Sequence, residues 1–282
     1  MKRKLLSLVI ILAMILTMGM GLVSCVTPEN PSITLATTTS TTDSGLLDYL
    51  LPVFEEKTGY KVEVISVGSG EAITLGEQGE ADVLLVHSSA AEKEFVEAGH
   101  ADADGRIEVM YNDFLIIGPK ADAAKVGTTA SGDAVSAFKA IYDTKSVFVS
   151  RADDSGTYKK ELAIWEAATL TPAGDWYVEA AAGMGDVIAM ANEKLGYTMS
   201  DRATWLNLED TTELKLLCQK DPSGILKNQY SVICVNTDKN ENINAVGAKA
   251  FQRWLLSGDG QTLIGTYGVE QYGEQLFVPN AK

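Results

Sequence analysis

An eight-residue run with one arginine, two hydroxyl groups near its end and a glycine lies where a strand pattern gives way to a helical pattern. The run reads Ser-Arg-Ala-Asp-Asp-Ser-Gly-Thr over residues 150–157, between apolar residues 147–149 and a helical pattern from 158 to 168. A helix start has unpaired N–H groups and a partial positive charge, and the Arg151 guanidinium presents a planar fork of donors. The run therefore predicts an oxyanion site. Its candidate ligands are Arg151, Ser155, Gly156 and Thr157. The alternative is a surface arginine paired with Asp153 or Asp154.

Two earlier segments share this placement between a strand and a helix. Six consecutive hydroxyl residues, 37–42, follow the first strand pattern, and Gly68-Ser69-Gly70 follows the second. Ligands of open α/β sheets bind at the carboxyl ends of strands, and glycine admits a close approach to the backbone. The candidates here are Thr37, Thr38, Thr39 and Ser69. Helix capping and a plain turn are the alternatives. Additional candidates lie in two later loops, namely Met184, Gly185 and Tyr197. We interpret His87 as an ordinary loop histidine.

The charge of the chain limits how it can attract an anion. The formal net charge is −15, which argues against nucleic acid as a partner. An anion would have to be bound by local donors, since distant charges are screened beyond roughly 8 Å. The chain has two histidines, no Gly-x-Ser-x-Gly elbow and no phosphate loop ending in Gly-Lys-Ser/Thr, so we expect no metal site, no cofactor and no enzyme activity.

The N-terminus is typical of an export signal. Lys2-Arg3-Lys4 precedes the apolar residues 5–23, and the segment ends in Leu22-Val23-Ser24-Cys25. This pattern predicts a lipoprotein signal over 1–24, lipidation of Cys25 and a tether over 25–32. A single membrane-spanning anchor is the alternative, since a spanning helix needs roughly 20 residues. Both alternatives place the domain outside the cytoplasm and attach it to a membrane. Loss of residues 1–24 would remove three positive charges and leave −18.

Strand and helix patterns alternate along the remaining chain. Continuous apolar runs such as 83–86 are typical of buried parallel strands, and amphipathic segments such as 245–256 predict helices. The alternation predicts an α/β fold with mainly parallel sheets. Cys218 and Cys234 lie in strand-like runs, and the exported compartment leaves a disulfide and two free buried thiols both open.

The chain resembles the tungstate-binding proteins of bacterial ABC importers, a branch of the type II periplasmic-binding-protein fold. The segments that carry the resemblance are Ala36–Thr41, Asp43–Leu47, Val67–Gly70, Ala81–His87, Met110–Phe114, Ser150–Thr157, Gly183–Gly185 and Tyr197–Arg202. The family usually has glycine where this chain has Ala152 and histidine where it has Tyr158.

The resemblance implies two α/β lobes, two crossing strands near residues 113–118 and 214–220 that act as a hinge, and a ligand held in the cleft between the lobes. Lobe I would comprise residues 33–115 and 219–282, and lobe II residues 116–218. The partners that it implies are a tungstate oxyanion, a membrane permease and its ATPase. We expect a monomer on the extracytoplasmic face of the membrane.

The choice of oxyanion depends on Asp153. The spacing Arg-x-Asp-x-Ser-Gly-Thr is also similar to that of phosphate-binding proteins, in which an aspartate accepts the proton of hydrogen phosphate. Tungstate and molybdate carry no such proton, so an ionised carboxylate facing them would repel them. We hypothesise that Asp153 turns away from the ligand and braces Arg151. Molybdate or phosphate binding, a lipid-anchored enzyme for phosphorylated or sulfated compounds, and a sensor subunit are the alternatives.

Overall fold

The computed structural model describes residues 31–282. The predicted signal segment and the lipidation site at Cys25 lie outside the described residues. The first strand begins at Ser32, the last residue of the predicted tether over 25–32, and the tether stays a prediction. None of the helices within residues 31–282 is long and apolar enough to cross a membrane.

Strands and helices alternate in the first part of the chain. The elements are β1 (Ser32–Thr38), α1 (Thr39–Asp43), α2 (Leu46–Thr58), β2 (Lys61–Val67), α3 (Ser69–Gln78), β3 (Val83–Val86), α4 (Ser89–Glu97) and the long strand β4 (Ala101–Pro119). The hydroxyl run 37–42 is divided between the end of β1 and the short helix α1.

A second series of elements follows β4. They are α5 (Val126–Thr129), α6 (Ala134–Thr144), β5 (Phe148–Ser150), α7 (Gly156–Ala167), β6 (Tyr177–Glu179), α8 (Met184–Glu193), β7 (Thr198–Asp201), α9 (Arg202–Leu208), a 3₁₀ turn (Glu209–Thr211) and β8 (Leu214–Cys218). The chain ends with β9 (Lys227–Val235), α10 (Ala245–Leu256), α11 (Gly258–Thr266), α12 (Val269–Tyr272) and β10 (Val278–Pro279).

The sheet is mixed, which corrects the expectation of mainly parallel pairing. β1 runs parallel to β2 and β3 in this sheet, and β5 runs parallel to β6 in a separate two-stranded sheet. β3 pairs antiparallel with β9, and β4 pairs antiparallel with β7, β8, β9 and β10. The cause is that β4 and β9 run in opposite directions beside each other, and this pairing joins segments more than a hundred residues apart. The sequence of each strand alone does not indicate this antiparallel pairing.

β4 passes from one half of the molecule to the other. It pairs with β9 as far as Asp113 and with β7 from Phe114 onwards. The chain returns between Cys218 and Lys227, after β8 has paired with the far end of β4. The return thus overlaps the predicted 214–220 at residues 218–220. The lobe boundaries at 115/116 and 218/219 stay a prediction, and we use the names lobe I and lobe II for the two halves.

Each half has its own buried apolar clusters. On the lobe I side, Phe54 and Phe251 pack edge to face in a cluster that reaches Phe277. On the lobe II side, Phe138, Phe148 and Trp165 form a second aromatic centre. Separate cores allow each half to stay rigid while the halves move relative to each other.

Arg202 connects the two halves at the crossing. Its guanidinium donates to both carboxylate oxygens of Asp113 on β4, at 3.1 and 2.7 Å. It also donates to Gln219 on the return crossing at 2.8 Å and to Glu274 of lobe I at 3.2 Å. The side chain is buried, so this ion-pair network fixes how both crossings meet the start of α9.

The two cysteines are buried free thiols. Burial raises the pKa of both Cys218 and Cys234 to about 12. They lie in the cores of different halves, so the structure decides between the two alternatives in favour of unpaired thiols.

Candidate oxyanion-binding site

A cavity of about 320 Å³ lies between the two halves. From lobe I it is lined by Thr38, Thr39, Ser40, Asp43, Val67, Gly68, Ser69 and His87. From lobe II it is lined by Arg151, Asp153, Asp154, Ser155, Gly156, Thr157, Gly183, Met184 and Thr204. The lining is thus mainly hydroxyl groups, glycines and the starts of helices.

The lobe I wall is built at the carboxyl ends of β1, β2 and β3. Because these strands are parallel neighbours, the residues that follow them meet at one edge of the sheet. Thr38 ends β1, Ser69 follows β2, and His87 follows β3. Thr37 lies on the opposite face of β1, where its hydroxyl donates to the Leu85 carbonyl at 2.7 Å.

Hydroxyl groups in this wall are linked to one another. Thr38 Oγ1 lies 2.7 Å from Thr41 Oγ1 and 3.1 Å from Ser40 Oγ. Ser69 Oγ is buried and has no hydrogen-bond partner within residues 31–282. A buried hydroxyl without a partner costs free energy, so Ser69 is a group that a ligand would satisfy.

The lobe II wall is organised by Arg151. Its Nε and Nη2 both donate to Asp153 Oδ2, at 3.1 and 2.6 Å. The other oxygen, Asp153 Oδ1, accepts the Ser155 backbone N–H at 3.1 Å. Asp153 therefore braces Arg151, as hypothesised. Its carboxylate nevertheless remains in the cavity lining, so the second part of the hypothesis, that it turns away, stays a prediction.

Three helices point their N-terminal ends at the cavity. α3 begins at Ser69, α7 at Gly156 and α8 at Met184, and each is ten or more residues long. At the start of α7, Ser155 Oγ accepts the Tyr158 N–H, which leaves the N–H groups of Gly156 and Thr157 available. Each helix start stabilises a nearby anion by about 0.3–1 kcal/mol.

A buried carboxylate lies beneath the Arg151 loop. Glu161 accepts hydrogen bonds from Ser150 Oγ at 2.8 Å, Tyr177 at 2.7 Å and Trp165 at 3.1 Å. Ser150 Oγ in turn accepts the Ala152 N–H at 3.2 Å. Burial raises the pKa of Glu161 to about 7. These contacts hold the loop from the side opposite the cavity.

The charged groups of the lining do not make the cavity positive. Arg151 is the one cation in the described lining, against Asp43, Asp153 and Asp154. Asp154 is exposed and paired with Lys159 at 2.8 Å, and Asp43 is exposed. An anion here would have to be bound by neutral hydroxyl and N–H donors together with Arg151, in agreement with the acidic composition.

His87 lies in the wall although it was interpreted as an ordinary loop residue. Its Nε2 is 3.1 Å from Thr38 Oγ1 and 3.3 Å from Ser40 Oγ. Burial lowers the pKa of His87 to about 4, with further lowering by the charges of Arg151, Lys160 and Lys159, while Asn228 opposes the shift. The imidazole is therefore neutral near pH 7.

Most of the predicted site residues meet in this cavity. Those that line it are Thr38, Thr39, Ser69, Arg151, Ser155, Gly156, Thr157 and Met184. Thr37, Gly185 and Tyr197 are not among the lining residues. Tyr197 is placed in lobe II, where its hydroxyl donates to Asp122 and accepts the Ala124 N–H.

Prediction from sequence missed several lining residues, including Ser40, Asp43 and Thr204. The rule that ligands meet at one strand edge would have found His87, because it follows β3 directly. Thr204 lies in the first turn of α9 behind its N-cap Asp201, and no motif in the sequence marks it.

A cleft with such a lining, between two α/β halves joined by crossing strands, is typical of two-lobed solute-binding proteins. The chain belongs to the PBP (periplasmic-binding-protein) superfamily, whose domain model matches residues 26–259.

Its relatives include the tungstate-binding protein TupA of Peptoclostridium acidaminophilum, with 51% identity over 96% of this chain and 97% of the relative. Two solved structures are also similar, each at 41% identity. The tungstate-binding protein TupA from Desulfovibrio alaskensis G20 matches with a TM-score of 0.77, covering 89% of this chain and all of that one. The structure of the tungstate ABC transporter from Geobacter sulfurreducens matches with a TM-score of 0.76, covering 84% of this chain and 98% of that one.

Ala152 adopts a left-handed backbone conformation, with φ of 47°. This conformation costs free energy for a residue with a Cβ, whereas glycine adopts it without that cost. We therefore expect Ala152→Gly to raise the free energy of unfolding by about 1 kcal/mol, measured by urea denaturation. Ala168 is the matched control, because its φ of −73° is ordinary, and Ala168→Gly should lower stability. Equal losses in both variants would contradict strain at Ala152.

Proposed function

We propose that this chain is the tungstate-binding component of an ABC importer, which captures the oxyanion between its two lobes. The observation that carries the proposal is the meeting of Arg151, three helix starts and a buried unpartnered hydroxyl, Ser69, in one cavity. These groups suit a tetrahedral dianion, since donors approach it from both lobes. The similarity to proteins named for tungstate supports the choice of cargo.

Lobe closure would complete the site. Gly70 of lobe I and Asp154 of lobe II lie so close that a Cβ at position 70 would be 1.9 Å from Asp154 Oδ2. A Cβ at Gly156 would lie 2.5 Å from His87 Cε1 of the opposite lobe. We propose that this close approach is the closed arrangement. We propose that ligand contacts available only in this arrangement shift the equilibrium towards it, and that the permease and its ATPase receive the closed form.

Selectivity for tungstate over phosphate would follow from the state of Asp153. Its two oxygens already accept hydrogen bonds from Arg151 and Ser155, so it is poorly available to the proton of hydrogen phosphate. Molybdate has nearly the same size and charge as tungstate, and both should bind. We further propose that the protein acts as a monomer outside the cytoplasm, lipid-anchored at Cys25.

A thermal-shift and calorimetric panel tests this function with tungstate, molybdate, sulfate and phosphate. Tungstate at one hundred times its dissociation constant should stabilise the protein by about 2.7 kcal/mol. Phosphate should give a much smaller shift at the same concentration. Phosphate binding as tight as tungstate binding would contradict the proposal, and turnover of a phosphate or sulfate ester would favour an enzyme instead.

Arg151→Ala should weaken tungstate binding by about 1.5–3 kcal/mol, the range for a charged hydrogen bond. The variant also leaves the Asp153 carboxylate unpaired in the lining, which adds repulsion. Calorimetry gives the change in affinity, and the exposed Arg253 of α10 supplies the control Arg253→Ala. If Arg151→Ala binds tungstate as tightly as the control, Arg151 is not part of the site.

Gly156→Ala should weaken tungstate binding by about 1–3 kcal/mol, the cost of overpacking a well-packed contact. The added methyl would clash with His87 and hold the lobes apart. Gly183 also starts a cleft helix, and a Cβ there meets no atom within 4 Å, so Gly183→Ala is the matched control for calorimetry. Unchanged affinity in Gly156→Ala would show that this contact is not needed for binding.

A further inference from the structure

His87 touches both walls of the cleft with opposite edges of its ring. Nε2 faces the Thr38 and Ser40 hydroxyls of its own lobe. The Nδ1 and Cε1 edge faces Gly156, at 2.8 and 2.5 Å from the Cβ that another residue would place there. The ring also packs on Tyr230, with 4.7 Å between centroids. The orientation of the imidazole is therefore fixed by its surroundings.

The two ring nitrogens differ in their partners. Nδ1 is buried and has no hydrogen-bond partner in the described part of the chain. The Asn228 amide nitrogen donates to Asn112 and to the Tyr230 hydroxyl, and the Asn228 side chain also lies within hydrogen-bonding range of the His87 ring. A proton on Nδ1 would be a buried donor without an acceptor, which costs free energy. The neutral ring is therefore best satisfied with its proton on Nε2, where two hydroxyl oxygens can accept it.

That tautomer decides what Thr38 and Ser40 can offer. A hydroxyl that accepts from His87 keeps its own proton free to donate. If Nε2 were instead the acceptor, one of these hydroxyls would donate its proton to the ring and could not donate it to the ligand. Asp153 already accepts hydrogen bonds from Arg151 and Ser155, and the Thr38 and Ser40 hydroxyls then face the ligand as donors.

We infer that His87 is a specificity-determining residue, which donates from Nε2 to Thr38 and Ser40 and so turns their hydroxyl protons towards the ligand. An oxyanion without a proton accepts all these donors. Hydrogen phosphate has a proton that needs an acceptor, and hydroxyl groups oriented as donors suit it less well. This inference rests on the proposed function, because it assigns the selectivity of the same site.

The test compares His87→Phe, which keeps the ring packing, with His87→Gln, whose amide N–H can replace the Nε2 donor. His100→Phe is the matched control, because His100 also packs on an aromatic ring, Phe95, and also has a buried unpartnered Nδ1. It does not line the cleft. Calorimetry with sodium tungstate and sodium phosphate gives both dissociation constants for each variant.

His87→Phe should weaken tungstate binding about tenfold or more, as expected for a lost hydrogen bond to a charged ligand network, and should narrow the ratio of phosphate to tungstate dissociation constants. His87→Gln should retain most of the tungstate affinity and most of the preference for tungstate over phosphate. His100→Phe should have the same two dissociation constants as the unaltered protein. The inference would be overturned if His87→Phe bound tungstate as tightly as the unaltered protein, or if His87→Gln and His87→Phe lost the same tungstate affinity. Either result would leave the proposed function standing. Failure of the unaltered protein to bind tungstate would overturn the proposed function itself.

A second measurement needs no variant at position 87. Long-range proton–nitrogen correlation spectra of the protein distinguish the two neutral histidine tautomers, and His100→Phe assigns the signals. The inference expects the proton of His87 on Nε2. A proton on Nδ1 would overturn it, even if His87→Phe fails to fold.

Discussion

The Arg151–Asp153 ion pair is the interaction on which the rest of the site depends. Two guanidinium nitrogens share one carboxylate oxygen, and the other oxygen fixes the Ser155 N–H at the start of α7. The pair thus orients the guanidinium and the helix start together. It also offsets much of the only positive charge in the described lining. The chain is acidic, so its long-range electric field does not attract anions. It therefore has to bind its anion through hydrogen-bond donors placed at short range.

Placing donors on both sides of an anion requires two rigid cavity walls that come close together. One wall is the common edge of three parallel strands, and the other is built from the starts of α7 and α8. Glycine at position 156 lets the walls approach, since a side chain there would collide with the buried His87 ring of the opposite lobe. The network around Arg202 holds the two crossings together.

Local features of the structure could be predicted from the sequence, and long-range ones could not. The helix starts at Ser155–Thr157 and at Gly68–Gly70 are each formed by contiguous residues, so the residues themselves indicate them. The antiparallel pairing of β4 with β9 depends on distant segments. The directions of the Thr37 and Tyr197 hydroxyls depend on partners, Leu85 and Asp122, that lie 48 and 75 residues away along the chain.

The central claim is that donors from both lobes close on one oxyanion. Crystals grown with tungstate test it directly, since anomalous scattering locates tungsten without assumptions about the protein. The account predicts one strong peak in the cavity, with tungstate oxygens about 2.5–3.2 Å from donor atoms of Ser69, Arg151 and Thr157. A peak elsewhere on the molecule, or contacts to one lobe alone with the cleft open, would contradict it.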